Sequence, residues 1–168
     1  KSQMVAEITA LGGVMGRAAD KSGIHWRTLN ASHGAATQAL RAQIDRNLYH
    51  NAIVDILGEY EKLTIQYETV SDLDLKNAIV NDKYHATAIV LTTGTFLDGV
   101  VTRGDEKISA GRLQDDGTYQ NADNKTSKIL VENGFKLLRL KTGTPARIRR
   151  DSIDFSVCEV QPGDTPHD

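Results

Sequence analysis

Ala86-Thr87-Ala88-Ile89-Val90-Leu91-Thr92-Thr93-Gly94-Thr95 is the stretch on which the fold turns. Residues Ala86 to Leu91 hold the apolar run Ala-Ile-Val-Leu, which suits a strand buried on both faces of a parallel sheet. The run stops at once in Thr92-Thr93-Gly94-Thr95. In open α/β sheets, ligands sit beyond the carboxyl ends of strands. A glycine there lets the backbone approach a ligand, and the hydroxyl and N–H groups suit phosphate or ring heteroatoms. The same four residues also suit an ordinary strand-to-loop turn, and pattern alone leaves both readings open.

Upstream, Leu63, Ile65 and Tyr67 alternate with polar residues and predict a strand over Leu63–Val70. Before it, Leu40, Ile44, Leu48, Ala52, Ile53, Ile56 and Leu57 form a stripe at helical spacing. Arg41, Asp45 and Arg46 lie off that stripe, and Arg41 and Asp45 are spaced to pair on the helix surface. Ile24 to Leu29 reads as a short strand, with Ile24, Trp26 and Thr28 on one side. Met4, Val5, Ile8 and Leu11 predict a first helix ended by Gly12-Gly13, and Gly16 to Asp20 a further short turn. Downstream, the polar, Gly- and Asp-rich stretch Asp105–Asn124 predicts a long mobile loop. Lys125–Asn133 reads as a short helix capped by Gly134, Phe135–Leu140 as a strand, and the chain beyond Pro145 as irregular. Strand–helix alternation around one apolar parallel strand makes the fold class α/β.

At 168 residues the chain is long enough for one domain with a real core. A formal net charge of −2 provides no global basic field, so any nucleic-acid contact has to come from a local patch. One cysteine, Cys158, excludes an internal disulfide framework and Cys-x-x-Cys chemistry, and reads as inert. His25, His33, His50, His85 and His167 make no metal-spaced pair, and no metal site is expected. No apolar run is long enough to span a bilayer, and the start Lys-Ser-Gln is not a signal peptide. Both ends read as cuts within something longer.

Two further stretches invite a site. Leu29-Asn30-Ala31-Ser32-His33-Gly34 precedes the expected long helix, where Asn, Ser and Gly suit either an anion or cofactor at the helix's positive end or simple capping. Arg139, Lys141, Arg147, Arg149 and Arg150 form a short basic tract that suits phosphates of a nucleic acid or cofactor, or an exposed basic turn. Two weaker signals fail. Lys141-Thr142-Gly143 lacks the Ser-x-x-Lys partner that penicillin-recognising enzymes need, because no serine here has Lys three residues later. Gly12-Gly13-Val14-Met15-Gly16 follows a helix rather than a strand and has the wrong spacing for a dinucleotide loop.

Four blocks, in order, resemble one family. They are Leu11-Gly12-Gly13-Val14-Met15-Gly16-Arg17-Ala18-Ala19-Asp20; Arg27-Thr28-Leu29-Asn30-Ala31-Ser32 with Arg41-Ala42-Gln43-Ile44-Asp45-Arg46; Val90-Leu91-Thr92-Thr93-Gly94-Thr95-Phe96-Leu97-Asp98-Gly99; and Ser109-Ala110-Gly111-Arg112 with Arg139-Leu140-Lys141-Thr142-Gly143-Thr144-Pro145 and Ile153-Asp154-Phe155-Ser156. Together they resemble the glucose-inhibited division protein A (MnmG, GidA) family of tRNA uridine-modifying flavoproteins. The resemblance implies an internal fragment of an α/β, glutathione-reductase-like, Rossmann-type FAD-binding domain, without its N-terminal strand and Gly-x-Gly-x-x-Gly fingerprint. Within one such domain, residues 1–60 form a helical segment before the meander. Residues 61–100 hold the strands and the Thr-Gly-Thr loop, and 101–168 an inserted segment with the Lys-Thr-Gly-Thr-Pro motif.

For the longer protein, the resemblance implies carboxymethylaminomethyl modification at carbon 5 of the tRNA wobble uridine, U34. FAD is the cofactor, and NADH and methylene-tetrahydrofolate are co-substrates. It implies a homodimer working with a partner GTPase of the MnmE type, cytoplasmic in bacteria and mitochondrial in eukaryotes, and a fragment inactive alone. By resemblance, Val70 meets the adenine side of the flavin nucleotide. Thr92, Thr93, Gly94 and Thr95 run beside the dinucleotide; Asn30, Ser32 and Gly34 lie near the flavin ring; and Arg112, Lys141 and Arg147 contact tRNA or phosphate. The chain departs from the family where Ser32-His33-Gly34-Ala35-Ala36 replaces Ser-Lys-Gly-Pro-Ala, where residues 72–85 are shorter than the usual β-meander, and where Pro145 is followed by Ala146. The family's two reactive cysteines are not in this chain, and Cys158 matches neither. Two alternatives are an oxidoreductase of the same fold acting on a small molecule, and a degenerate, non-catalytic relative.

Overall fold

Helix–helix contact builds the core of the first of two units. The computed structural model describes residues 2–114, 116–146 and 148–164. It divides into Lys1–Ile65 with Arg147–Asp168, and Gln66–Ala146. In the first unit, α1 (Ser2–Ala10) ends at the Gly12-Gly13 turn, where the Gly13 N–H donates to Ile8 O at 2.9 Å. The stretch read as a short turn is a two-turn helix, α2 (Met15–Ser22). β1 (Gly23–Leu29) and β2 (Ala39–Ile44) pair antiparallel, with Trp26 opposite Ala42 and Thr28 opposite Leu40. α3 (Arg46–Gly58) follows directly and packs on α2. Ala18 and Ile56, both fully buried, meet with Ala52, and Val14, Tyr49 and Ile53 pack around them. Tyr49, Ala52, Ile53 and Ile56 share one helix face, as the 3.6-residue period requires.

The helix expected from Leu40 therefore starts only at Arg46. Leu40, Ala42 and Ile44 also fit a two-residue period, and β1 offers them a hydrogen-bonded ladder. Asp45 is the N-cap: its carboxylate accepts from the N–H groups of Asn47 and Leu48, both at 2.9 Å. Arg41 stands in a strand and Asp45 outside the helix, so they are not the helical pair that their spacing suggests.

The second unit is built from short antiparallel pairs. β3 (Leu73–Asp74), β4 (Ile79–Val80) and β5 (Tyr84–His85) form a meander of three strands of two residues each. The expected mobile loop is instead two hairpins: β6 (Val100–Arg103) with β7 (Glu106–Ser109), and β8 (Arg112–Leu113) with β9 (Tyr119–Gln120). Gly104-Asp105 makes the first turn, a two-residue connection of the kind that polarity averaged over the stretch conceals. α4 (Asn124–Glu132) is capped by Asp123, whose carboxylate accepts from Thr126 N–H at 2.9 Å, and closes at Gly134, φ +85°.

Residues 63–70, 86–91 and 135–140 are not strands among the described residues. A strand exists only through a neighbour's ladder; apolar alternation marks residues that suit one and does not supply the partner. Val90, expected in a strand buried on both faces, is 82% exposed, and Leu138 and Leu140 of the strand expected over Phe135–Leu140 are each 87% exposed.

Candidate functional site

The second unit gathers three pieces of sequence that lie far apart along the chain. Thr95 Oγ1 donates to Gly111 O at 2.6 Å, and the Ala110 N–H donates to Gly99 O at 3.0 Å. Arg139 donates to the backbone oxygen of Asp98 at 3.0 Å and to its carboxylate at 2.5 Å. Asp98 N–H donates to Asp123 O, and Asp123 N–H to Phe96 O, so the start of α4 is tied to the same turn. The glycines make this approach possible. A Cβ on Gly99 would strike the carbonyl oxygens of Thr95 and Ala110, and one on Gly111 would strike the Phe96 ring.

At the mouth of this turn, Gly94 adopts φ +58° with open space on its Cβ side. That conformation suits glycine and leaves room for a ligand. The N–H groups of Thr92, Thr93, Gly94 and Thr95 donate to no protein acceptor among the described residues, while Thr93 O accepts from Phe96 N–H at 3.0 Å. Residues 87–91 are equally without backbone partners among the described residues. What is local to the loop is the open Gly94 and the buttressed turn behind it.

Val70 lies on a different segment of this unit. Its own N–H and C=O have no partner among the described residues, while the residues on either side are held by Asn81. A donor and an acceptor on one exposed peptide segment match the edge of an adenine ring. The donors at Thr92–Thr95 match phosphate oxygens. The residues present thus fit a dinucleotide in chemistry.

Asn30, Ser32 and Gly34 belong to the first unit, in the loop between β1 and β2. Asn30 takes φ +57° and donates from its amide to Thr37 O at 3.1 Å; Ser32 Oγ lies 3.3 Å from His33 Nδ1. Gly34 opens a single 3-10 turn, Ala35–Thr37, that feeds a strand. These residues do not stand at the positive end of the long helix, which starts at Arg46 behind its own carboxylate cap, Asp45.

The basic tract is partly used internally. Arg139 is bound to Asp98, and Arg149 forms a two-point pair with Asp151, which holds that carboxyl below its ordinary range. Arg150 stacks 5.9 Å from the Phe155 ring. Arg112 and Lys141 are exposed and have no side-chain partner among the described residues. Arg147 lies outside the described residues. Among the described residues no cluster of His, Cys, Asp or Glu could hold a metal, and no helix is long and apolar enough to cross a membrane. The roles of Asn81 and Asp98 escape sequence reasoning, since nothing in linear spacing links them to Val70 or Arg139, whereas Asp151 stands two residues after Arg149 and its pairing is local.

The family described as "Glucose inhibited division protein A" matches residues 1–168, the whole chain. The chain belongs to the glucose inhibited division protein A family. It is similar to Aquifex aeolicus GidA in two crystal forms. In form II the identity is 41% and the TM-score 0.82, over 99% of this chain and 28% of that one. In form I the identity is again 41%, with a TM-score of 0.81 over 98% of this chain and 28% of that one. The chain thus spans about 28% of the length of these relatives. The likeness places its helices and strands within the α/β fold of GidA, as the motif order implied.

Proposed function

We propose that this chain serves as part of the FAD-binding domain of a flavin-dependent tRNA-modifying enzyme. The enzyme places a carboxymethylaminomethyl group at carbon 5 of the wobble uridine. The observation that carries the reading is the family match along all 168 residues, with 41% identity to GidA over 99% of the chain. The joining of the Thr-Gly-Thr, Ala-Gly-Arg and Arg-Leu-Lys blocks in one unit supports it further.

FAD, when bound, supplies the redox step, with NADH as reductant and methylene-tetrahydrofolate as carbon donor. The residues of this chain bind and orient. Val70 meets the adenine edge through its backbone, and Thr92, Thr93, Gly94 and Thr95 line the dinucleotide. Asn30, Ser32 and Gly34 lie near the flavin ring. Arg112, Lys141 and Arg147 contact tRNA phosphates, and the uridine leaves its stack to reach the site. The enzyme acts as a homodimer with an MnmE-type GTPase, in the cytoplasm or, in a eukaryote, the mitochondrion. The chain by itself is inactive and does not hold FAD.

The test is mass spectrometry of modified nucleosides in total tRNA from the source organism, with and without the gene. Loss of the carbon-5 substituent on deletion, restored by the intact gene, is expected. Unchanged nucleosides would overturn the tRNA reading. If the intact protein still bound FAD, that outcome would favour a small-molecule oxidoreductase of the same fold.

A further inference from the structure

Asn81 stands just after β4 with φ +53°, a left-handed conformation that Asn tolerates better than most residues. Its side chain spans the segment around Val70 from both sides. Asn81 Oδ1 accepts from Ser71 N–H at 2.7 Å, Asp72 N–H at 3.2 Å and Ser71 Oγ at 3.3 Å. Its Nδ2 donates to Thr69 O at 2.9 Å and to Glu68 Oε1 at 3.0 Å. Its own backbone N–H donates to Asp72 O at 3.0 Å. The peptide groups before and after Val70 are therefore held, while the N–H and C=O of Val70 itself have no partner among the described residues. A carboxamide offers a donor and an acceptor in one rigid plane; a carboxylate lacks the donor.

A second layer holds the same segment. Glu68 Oε2 accepts from Tyr84 Oη and from Lys83 Nζ, both at 2.8 Å, and the Lys83 ammonium lies 4.7 Å from the Tyr84 ring centre. The short meander thus grips residues 68–72 at five side-chain and backbone groups of its own, and leaves the backbone N–H and C=O of Val70 without a partner among the described residues.

We propose that Asn81 is a positioning residue that fixes the backbone of Val70 for the adenine end of the flavin dinucleotide. The proposal rests on the reading of Val70 as the adenine contact. A backbone segment that is already ordered loses less freedom on binding, so its hydrogen bonds yield more affinity. The effect is confined to the half of the ligand that Val70 meets.

The experiment is titration of the deflavinated full-length protein with FAD and, separately, with FMN, which lacks the adenosine half, followed by flavin fluorescence. The variant is Asn81→Gly, which tolerates the left-handed backbone and deletes the clamp. The wild type is expected to prefer FAD, and N81G to lose about tenfold in FAD affinity, the size of one hydrogen-bonded contact, while FMN affinity is unchanged. Loss for both ligands alike, or for neither, overturns the proposal. If N81G does not fold, Asn81→Asp, which keeps the acceptor and loses the donor, is measured for the same selective loss and judged the same way. A wild type that binds FMN as tightly as FAD defeats the reading of Val70, and this proposal with it. A wild type that prefers FAD beside an unchanged N81G defeats the proposal alone.

Discussion

Glu68 shows how much one side chain does in this structure. Three donors converge on its two oxygens, and Lys83 first, then Tyr84 and Asn81, hold its carboxyl below the ordinary value of 4.5. Lys83 is raised in turn, chiefly by Glu68. A carboxyl lowered in the folded state contributes stability that is complete above its unfolded value and lost as pH falls through the folded one. The meander anchor therefore persists at pH 4.5 and releases only at more acid pH. Following the Glu68 side-chain carboxyl by NMR should give a midpoint below 4.5 that moves up in Lys83→Met; a midpoint at or above 4.5 in the wild type would contradict the ion pair. The pair is open to solvent, so added salt should weaken it. None of this is legible along the chain, because Glu68 and Lys83 are neighbours only after β4 and β5 fold back.

At the scale of elements, α3 separates pattern from consequence. Its stripe is visible in sequence, yet only Ala52 and Ile56 reach the buried core with Ala18, while Leu48 is half exposed. Ile56→Ala should cost about 2–5 kcal/mol, since it opens a cavity between two helices, whereas Leu48→Ala should stay within about 0.5 kcal/mol. Urea unfolding midpoints of the two variants decide this, and equal losses would mean that the packing is misassigned. The start of α3 is partly legible too in Asp45, whose residue type suits an N-cap as well as the surface pairing with Arg41 that its spacing suggests. The hairpins of residues 100–120 were legible in Gly104-Asp105 and Asp116-Gly117, two-residue turn signals inside a stretch whose average polarity says loop.

For the whole molecule, the proposed function turns on which charges would meet tRNA. Arg139 and Arg149 already hold carboxylates, so the basic tract is weaker than its count of cations suggests. Lys141→Gln in the full-length protein should lower the slope of log affinity for tRNA against log salt by about one, while Arg149→Gln should change it less. Filter binding across salt concentrations reads both, and a larger change for Arg149 would place the phosphate contact there instead. The family, the α/β class and the presence of α1, α3 and α4 were determined by sequence alone, because ordered motifs and helical periodicity are local properties that survive without knowledge of partners; the start of α3 and the length of α2 were not. The tertiary structure alone decided that Leu40–Ile44 is a strand, that residues 86–91 find no ladder among the described residues, and that Asn81 brackets Val70. Each of these depends on which distant backbone comes within hydrogen-bonding distance, and linear spacing carries no record of that.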